Sequence, residues 1–262
     1  MNDAQASLVQ LRREGAVAEL VLNRPEAANS LSSAMLDALA QRLDELAATD
    51  AVRVVILAAS GRVFSAGMDL KQARSATPRQ VRAIAERLLD VTSKLRHFRR
   101  PVIAKVRGMA SAAGLELVLA CDLVYASSSA RFATPGVNVG MWCLTPMVPL
   151  VRAVAPRHAA EMLFRGEPVD AAYAERIGLI NRHFEDAELD QCVARIAADL
   201  SVKSPFTLAL GKRALLEQLD LAFAGAYSRA VAHVETNAAH PDAKEGMSAF
   251  VEKRPPNWSS SG

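Results

Sequence analysis

The stretch Gly108-Met109-Ala110-Ser111-Ala112-Ala113-Gly114-Leu115-Glu116-Leu117 decides how the chain is read. It begins as a crowd of small residues and becomes a helix carrying a single carboxylate. An apolar run at 101–106, short and bounded by Pro101 and Gly108, precedes it as a buried strand, so the segment is a strand, a small-residue loop and a helix over about 112–120. Small side chains at such a junction let a ligand approach the backbone, and the N–H groups of a helix start have no partner within the helix. A second segment repeats the pattern: the buried run Val54-Val55-Ile56-Leu57 leads into Phe64-Ser65-Ala66-Gly67-Met68-Asp69-Leu70. Two such loops converging would form an oxyanion hole.

Elements on either side extend an α/β pattern. Alternation over 16–23, after a Glu14-Gly15 turn and a short run at 8–11, predicts an N-terminal hairpin ended by Arg24-Pro25. Leu36, Leu39, Leu43 and Leu46 recur at helical spacing after Ser32. Thr77-Pro78-Arg79-Gln80 reads as a capping box with Pro in the first turn, and Val81, Ile84, Leu88, Val91 and Leu95 mark the buried stripe of the helix it opens. Further strands are expected at 122–126, 131–134 and 179–183. Beyond about residue 200 the pattern becomes wholly helical, at 206–218, 219–237 and 243–253. The chain therefore divides into a mixed core over 1–200 and a helical region over 201–262.

Composition narrows the function classes. The 262 residues carry 31 Lys+Arg and 28 Asp+Glu, a net charge of +3, with 51% hydrophobic and 5% aromatic residues. That balance is too apolar for disorder, and it lacks the clustered basic and aromatic stripe of a nucleic-acid binder. No run approaches the roughly 20 apolar residues of a membrane helix. The N-terminus lacks the basic and apolar regions of a secretory signal, and a cytoplasmic location is expected. Cys121, Cys143 and Cys192 are odd in number, with no C-x-x-C, which argues against a disulfide framework or a metal site.

The two small-residue segments resemble those of the crotonase, or enoyl-CoA hydratase/isomerase, superfamily. Leu22-Asn23-Arg24-Pro25 with Asn29, Cys121-Asp122, Glu167-Pro168-Val169-Asp170-Ala171, Gly178-Leu179-Ile180 and the stretch from Gly246 to Arg254 follow in the family's order. The resemblance implies a spiral of repeated ββα units capped by C-terminal helices, assembled as a homotrimer or a dimer of trimers. It also implies an acyl-CoA thioester substrate of fatty acid metabolism, with coenzyme A part of the substrate and no separate cofactor. The shared chemistry is stabilisation of a thioester enolate by two backbone N–H groups, which carry over to Ala66 and Ala113. Glu116 matches the glutamate that handles water in the hydratases, and its apolar neighbours Leu115, Leu117, Val118 and Leu119 favour a raised pKa. Coenzyme A recognition is expected from Ala66, Gly67, Met68, Asp69, Leu70 and Lys71, joined by Phe250 and Lys253, sometimes from an adjacent subunit. For Asp69 an orienting or helix-capping role is an equal alternative.

One family feature is missing. Where the hydratases resemble F-x-x-P-E, this chain reads Phe132-Ala133-Thr134-Pro135-Gly136, and Gly136 holds no proton. The next stretch, Met141 to Met147, also departs from the family pattern. Cys143, Thr145 and Trp142 are expected to face the acyl pocket, Trp142 as a wall. Restoring a glutamate at 136 is expected to raise hydration, unless the backbone or Trp142 leaves no room for it. The leading reading is an enoyl-CoA hydratase-like enzyme. Isomerisation, thioester hydrolysis and an acyl-CoA-binding protein with vestigial catalysis are the alternatives.

Overall fold

The computed structural model describes residues 8–259. Its first elements are β1 (Val9–Glu14) and β2 (Val17–Leu22), an antiparallel hairpin turning at Gly15. Helix α1 (Ser33–Ala47) follows, capped by the Ser32 hydroxyl and burying Leu36, Leu39, Leu43 and Leu46. Next come β3 (Val54–Ala59), the three-residue β4 (Val63–Ser65), the short α2 (Leu70–Arg74) and the long α3 (Pro78–Arg96). The Thr77–Gln80 capping box forms in both directions at the head of α3.

The strand, short strand and helix sequence then repeats. Strands β5 (Val102–Val106) and β6 (Met109–Ser111) lead into α4 (Ala113–Leu119). After them, β7 (Leu123–Ser127) and β8 (Arg131–Ala133) lead through a 3-10 turn at Pro135–Val139 into α5 (Leu144–Ala153). In each repeat the longer strand joins one sheet and the shorter strand another. The six-stranded sheet runs β1-β2-β3-β5-β7-β10 and the four-stranded sheet β4-β6-β8-β9. Apart from the β1–β2 and β8–β9 pairings, neighbouring strands are parallel. Helices cover the parallel strands, which is why β3 is apolar on both faces rather than alternating. This is the α/β crotonase-type spiral of ββα units.

Helix α6 (Pro156–Arg165), β9 (Val169–Asp170), α7 (Ala171–Arg176), β10 (Arg182–Phe184) and α8 (Leu189–Ser201) complete the sheets and their cover. The strand expected at 179–183 begins later than its hydrophobicity suggested. Leu179 and Ile180 are buried as a turn, their N–H groups on Ala174 O, and the pairing starts at Arg182. Three helices follow, α9 (Pro205–Gln218), α10 (Phe223–Ala239) and α11 (Pro241–Glu252). The helix expected over 219–237 starts instead at Phe223, with a turn separating it from α9. Lys212 ties α9 to the core, its ammonium on Asp122 Oδ2 at 2.7 Å and on the carbonyl of Leu95 at 3.1 Å. No described helix is long and apolar enough to cross a membrane.

The loops after β4 and β6 meet at two glycines. A Cβ on Gly114 would lie 2.6 Å from both the Cβ and the carbonyl oxygen of Ser65. One on Gly67, at φ +89°, would lie 2.8 Å from Ser111 O and 3.3 Å from Ala113 N. Both contacts are largely with backbone, which cannot rotate aside. Gly114→Ala is therefore expected to lower the unfolding free energy by about 1 to 3 kcal/mol, the usual range for overpacking. Chemical denaturation checks it; an unchanged midpoint at unchanged slope would mean that the two loops yield without strain.

Candidate active site

The loop after β4 is held from behind. Asn29, fully buried at φ +49°, donates its amide to Ser60 O and Val63 O at 2.8 Å each and accepts from Arg24 N–H at 2.8 Å. The Ser65 hydroxyl donates to Asn29 O at 2.9 Å. Arg24 Nη1 contacts Asp69 Oδ2 at 2.8 Å, and Asp69 Oδ1 accepts from the N–H groups of Lys71 at 3.0 Å and Gln72 at 3.2 Å. The Arg24 guanidinium, helped by these backbone donors, holds the Asp69 carboxyl below its ordinary pKa despite burial. Asp69 is thus a helix cap and a latch. Its oxygens bond Arg24 and the N–H groups of Lys71 and Gln72, the capping role that the sequence offered as an alternative.

The same network decides which N–H groups are free. Ala66 donates its N–H to Ala28 O at 3.0 Å, and Gly67 donates to Ser65 Oγ at 3.2 Å. Leu31 pairs with Met68 as a parallel bridge, its N–H taking Gly67 O and its carbonyl accepting from Asp69 N–H. In a parallel pair the bridging residue turns its own N–H to the opposite side. Among the described residues the Met68 N–H has no acceptor, nor has that of Ala113. The N–H of Ala66, expected as a donor, is thus taken by Ala28 O, and the N–H groups without an acceptor at this junction are those of Met68 and Ala113. Ala112, at φ +47° and ψ −117°, is the strained step that turns the chain into α4, and its own N–H is held on Ala133 O.

Both free donors border a cavity of 330 Å³. Its walls come from Leu31 and Leu36, from Val81, Ile84, Ala85 and Leu88 of α3, and from Val139, Met141, Trp142, Cys143 and Thr145 around the start of α5. Cys143, Thr145 and Trp142 line it as the sequence suggested. Trp142 is fixed there by an edge contact to Phe164 and by its indole N–H on Met147 Sδ at 3.5 Å. Among the described residues no charged side chain lines this cavity. Leu70 borders it and Lys71 does not. Phe250 and Lys253 lie at the exposed end of α11, away from these walls. A larger cavity of 740 Å³ between the end of α3 and α9, walled by Arg96, Lys212 and Arg213 among others, holds none of the expected site residues.

Glu116 sits behind Ala113, Cys143 and Thr145, 5% exposed, with Oε2 buried and unpartnered. Burial pushes its pKa up to about 7, against a smaller downward pull from a hydrogen bond with Thr145. Cys143 is raised too, by burial first and by the neighbouring Glu116 charge among lesser causes, so it remains a thiol. The place of the missing glutamate is closed: a Cβ on Gly136 would lie 2.3 Å from Met141 O and 2.9 Å from Cys143 Sγ. A glutamate at 136 would meet this backbone contact, the lack of room that would withhold the expected gain in hydration. Among the described residues no cluster of three metal-binding side chains occurs.

The raised pKa of Glu116 is also a stability statement. In the unfolded chain its ordinary value is 4.5 and in the fold about 7, so the unfolded state loses the proton first as pH rises. The wild-type protein should then lose stability relative to Glu116→Gln between about pH 4.5 and 7, by about 3 kcal/mol, and no further above that. Paired denaturation curves across this window measure it; a difference independent of pH would place the carboxylate in a solvated setting.

Comparison with known proteins agrees with the fold. The enoyl-CoA hydratase/isomerase family profile matches residues 12–261. The chain is 39% identical to the mitochondrial enoyl-CoA hydratase domain-containing protein 3 of Mus musculus, over 98% of this chain and 86% of that protein. It is 31% identical to the 2,3-dehydroadipyl-CoA hydratase of Escherichia coli, over 94% and 96%. Among solved structures, an enoyl-CoA hydratase of Mycobacterium smegmatis superposes with a TM-score of 0.93 at 41% identity, covering 96% of this chain and 98% of that one. The chain belongs to the enoyl-CoA hydratase/isomerase family.

Proposed function

We propose that the protein processes acyl-CoA thioesters through an enolate, with Met68 and Ala113 N–H groups on the thioester oxygen and Glu116 as the single acid–base carboxylate. The observation that carries this reading is that two acceptor-free N–H groups border one apolar cavity, with a buried glutamate of raised pKa beside Cys143 and Thr145 of its wall. Negative charge develops on the thioester oxygen when a nucleophile adds to the β carbon or a base removes the α proton. Fixed donors in a dry site stabilise that charge by about 3 to 4 kcal/mol each.

Hydration needs only one carboxylate if that carboxylate moves one proton twice. Glu116 takes a proton from water as the oxygen bonds to the β carbon, and the double-bond electrons move onto the thioester oxygen. The enolate then collapses, and the α carbon takes the proton back from Glu116. One molecule of water has been added, and the carboxylate ends as it began. The uncharged lining suits neutral, apolar acyl groups, since a terminal carboxylate would enter without a cation to meet it.

Hydration of a short enoyl-CoA, followed by loss of enoyl absorbance, and exchange of the α protons of a saturated acyl-CoA in D2O, followed by mass spectrometry, test the assignment together. Glu116→Gln is expected to slow both by roughly 10²-fold or more while acyl-CoA affinity holds. Because the ionised carboxylate is the base, the wild-type rate should rise with pH and level off above about 7. Exchange without hydration would favour an isomerase. Binding without either would favour the second reading, an acyl-CoA-binding protein, for which the closed position at Gly136 speaks.

Gly136→Glu is expected to lower stability without raising the hydration rate, because the obstruction is the Met141 carbonyl rather than a movable side chain. A faster, stably folded variant would show that the missing second glutamate limits the reaction.

We further propose that the exposed apolar residues of the C-terminal helices, Phe223, Tyr227, Val231 and Val234 on α10 with Phe250 and Val251 on α11, pack in a homotrimer or a dimer of trimers. Phe250 and Lys253 would then serve coenzyme A of a neighbouring copy.

A further inference from the structure

The apolar cavity ends at a polar one. Against the neighbouring face of α3 a second cavity of 300 Å³ is walled by Ser33, Gln72, Ser75, Gln80 and Arg87, with Ala76, Ala83 and Ile84. Ile84 is the one side chain common to the two linings. It is buried in the α3 stripe, and as a β-branched residue in a helix it is held to essentially one χ1 rotamer, so it does not swing aside. Beyond it the surroundings change character: Gln72 and Ser33 bond each other at 3.0 Å, and Arg87 pairs with Asp37 at 3.1 Å.

We propose that Ile84 is the partition that sets acyl chain length, stopping the chain at the boundary between an apolar chamber and a polar one. This rests on the reading that the 330 Å³ cavity holds the acyl group. Up to the partition each added methylene is removed from water, which tightens binding about fourfold per methylene. Past it, an apolar tail would have to displace Ile84 and then lie among Gln72, Gln80 and Arg87, where burial brings little gain. Affinity against chain length should therefore climb and then break.

The test is the dissociation constant of saturated straight-chain acyl-CoAs, from butyryl to palmitoyl, measured by titration calorimetry with no turnover required. For Ile84→Ala the break is expected to move by at least one two-carbon step toward longer chains. Ala83 lines only the polar cavity. Ala83→Phe is accordingly expected to leave the wild-type profile alone, and to return the break to its original place when combined with Ile84→Ala. Butyryl-CoA binding and the melting temperature report whether each variant is folded. Should Ile84→Ala unfold, Ile84→Val removes one methyl and is expected to strengthen the first chain beyond the break. A folded Ile84 variant with an unmoved break overturns the partition alone. Failure of every acyl-CoA to bind the wild-type protein overturns the proposed function as well.

Discussion

The backbone contact between the β4 loop and the head of α4 is the constraint on which the site depends. At Gly67 and Gly114 the two segments come so close that a methyl group would overlap backbone atoms. Only glycine permits that approach, and it brings Met68 and Ala113 to one edge of the cavity. The approach is then fixed from outside the loops. Asn29 clamps the β3–β4 turn through two carbonyls, and the Arg24–Asp69 pair ties the chain after β2 to the start of α2. Residues far apart in sequence thus determine the direction of two N–H bonds, because a hydrogen bond weakens steeply as its angle departs from linear.

Around those donors the protein accepts an electrostatic cost. A glutamate 5% exposed, with an unpartnered oxygen and a pKa near 7, is destabilising relative to a solvated one. The same desolvation makes it a usable base and acid at neutral pH, since a carboxylate at its ordinary pKa returns a proton to carbon reluctantly. Across the cavity the chain does the opposite. At the position where the resemblance leads one to expect a second carboxylate the chain carries Gly136, and the Met141 carbonyl and Cys143 thiol close over it. Two unpaired carboxylates in so apolar a space would raise each other's pKa. With one of them, as the proposed mechanism has it, the proton would pass through a single group.

Much of this was legible in sequence where side-chain periodicity carries the information. The α1 and α3 stripes, the Thr77 capping box and the long strands β2, β3 and β5 follow from which faces must be apolar. Strands β4, β6 and β9 are two or three residues long, too short for any period to register, and of the second sheet only β8, expected at 131–134, was legible. That the Ala66 N–H is already taken was hidden for a related reason. Ala66 and Met68 lie two apart in an extended loop, and both carry an N–H. What separates them is that Ala28 O takes one, while the bridge to Leu31 turns the other away. That choice is made by pairing with a remote segment, and residue type does not encode it. The latch on Asp69 and the reach of Lys212 to Asp122 are likewise contacts between distant segments.

The site divides its tasks by the kind of atom that performs them. The groups proposed to stabilise charge are backbone N–H groups at glycine-supported contacts, so side-chain substitution at Met68 or Ala113 leaves the N–H itself in place. The cavity beyond is formed by side chains of α1, α3 and the α5 approach, each replaceable without touching the donors. In the proposed reading, enolate chemistry would be held by the repeated ββα framework, and the acyl group would meet Ile84, Leu88, Val139 and Trp142 of the cavity wall. Glu116 stands between the two regimes, a side chain whose reactivity depends on the walls staying apolar. Changes that admit water to the α5 side would lower its pKa toward the ordinary carboxylate range and weaken proton return to carbon even with both donors intact.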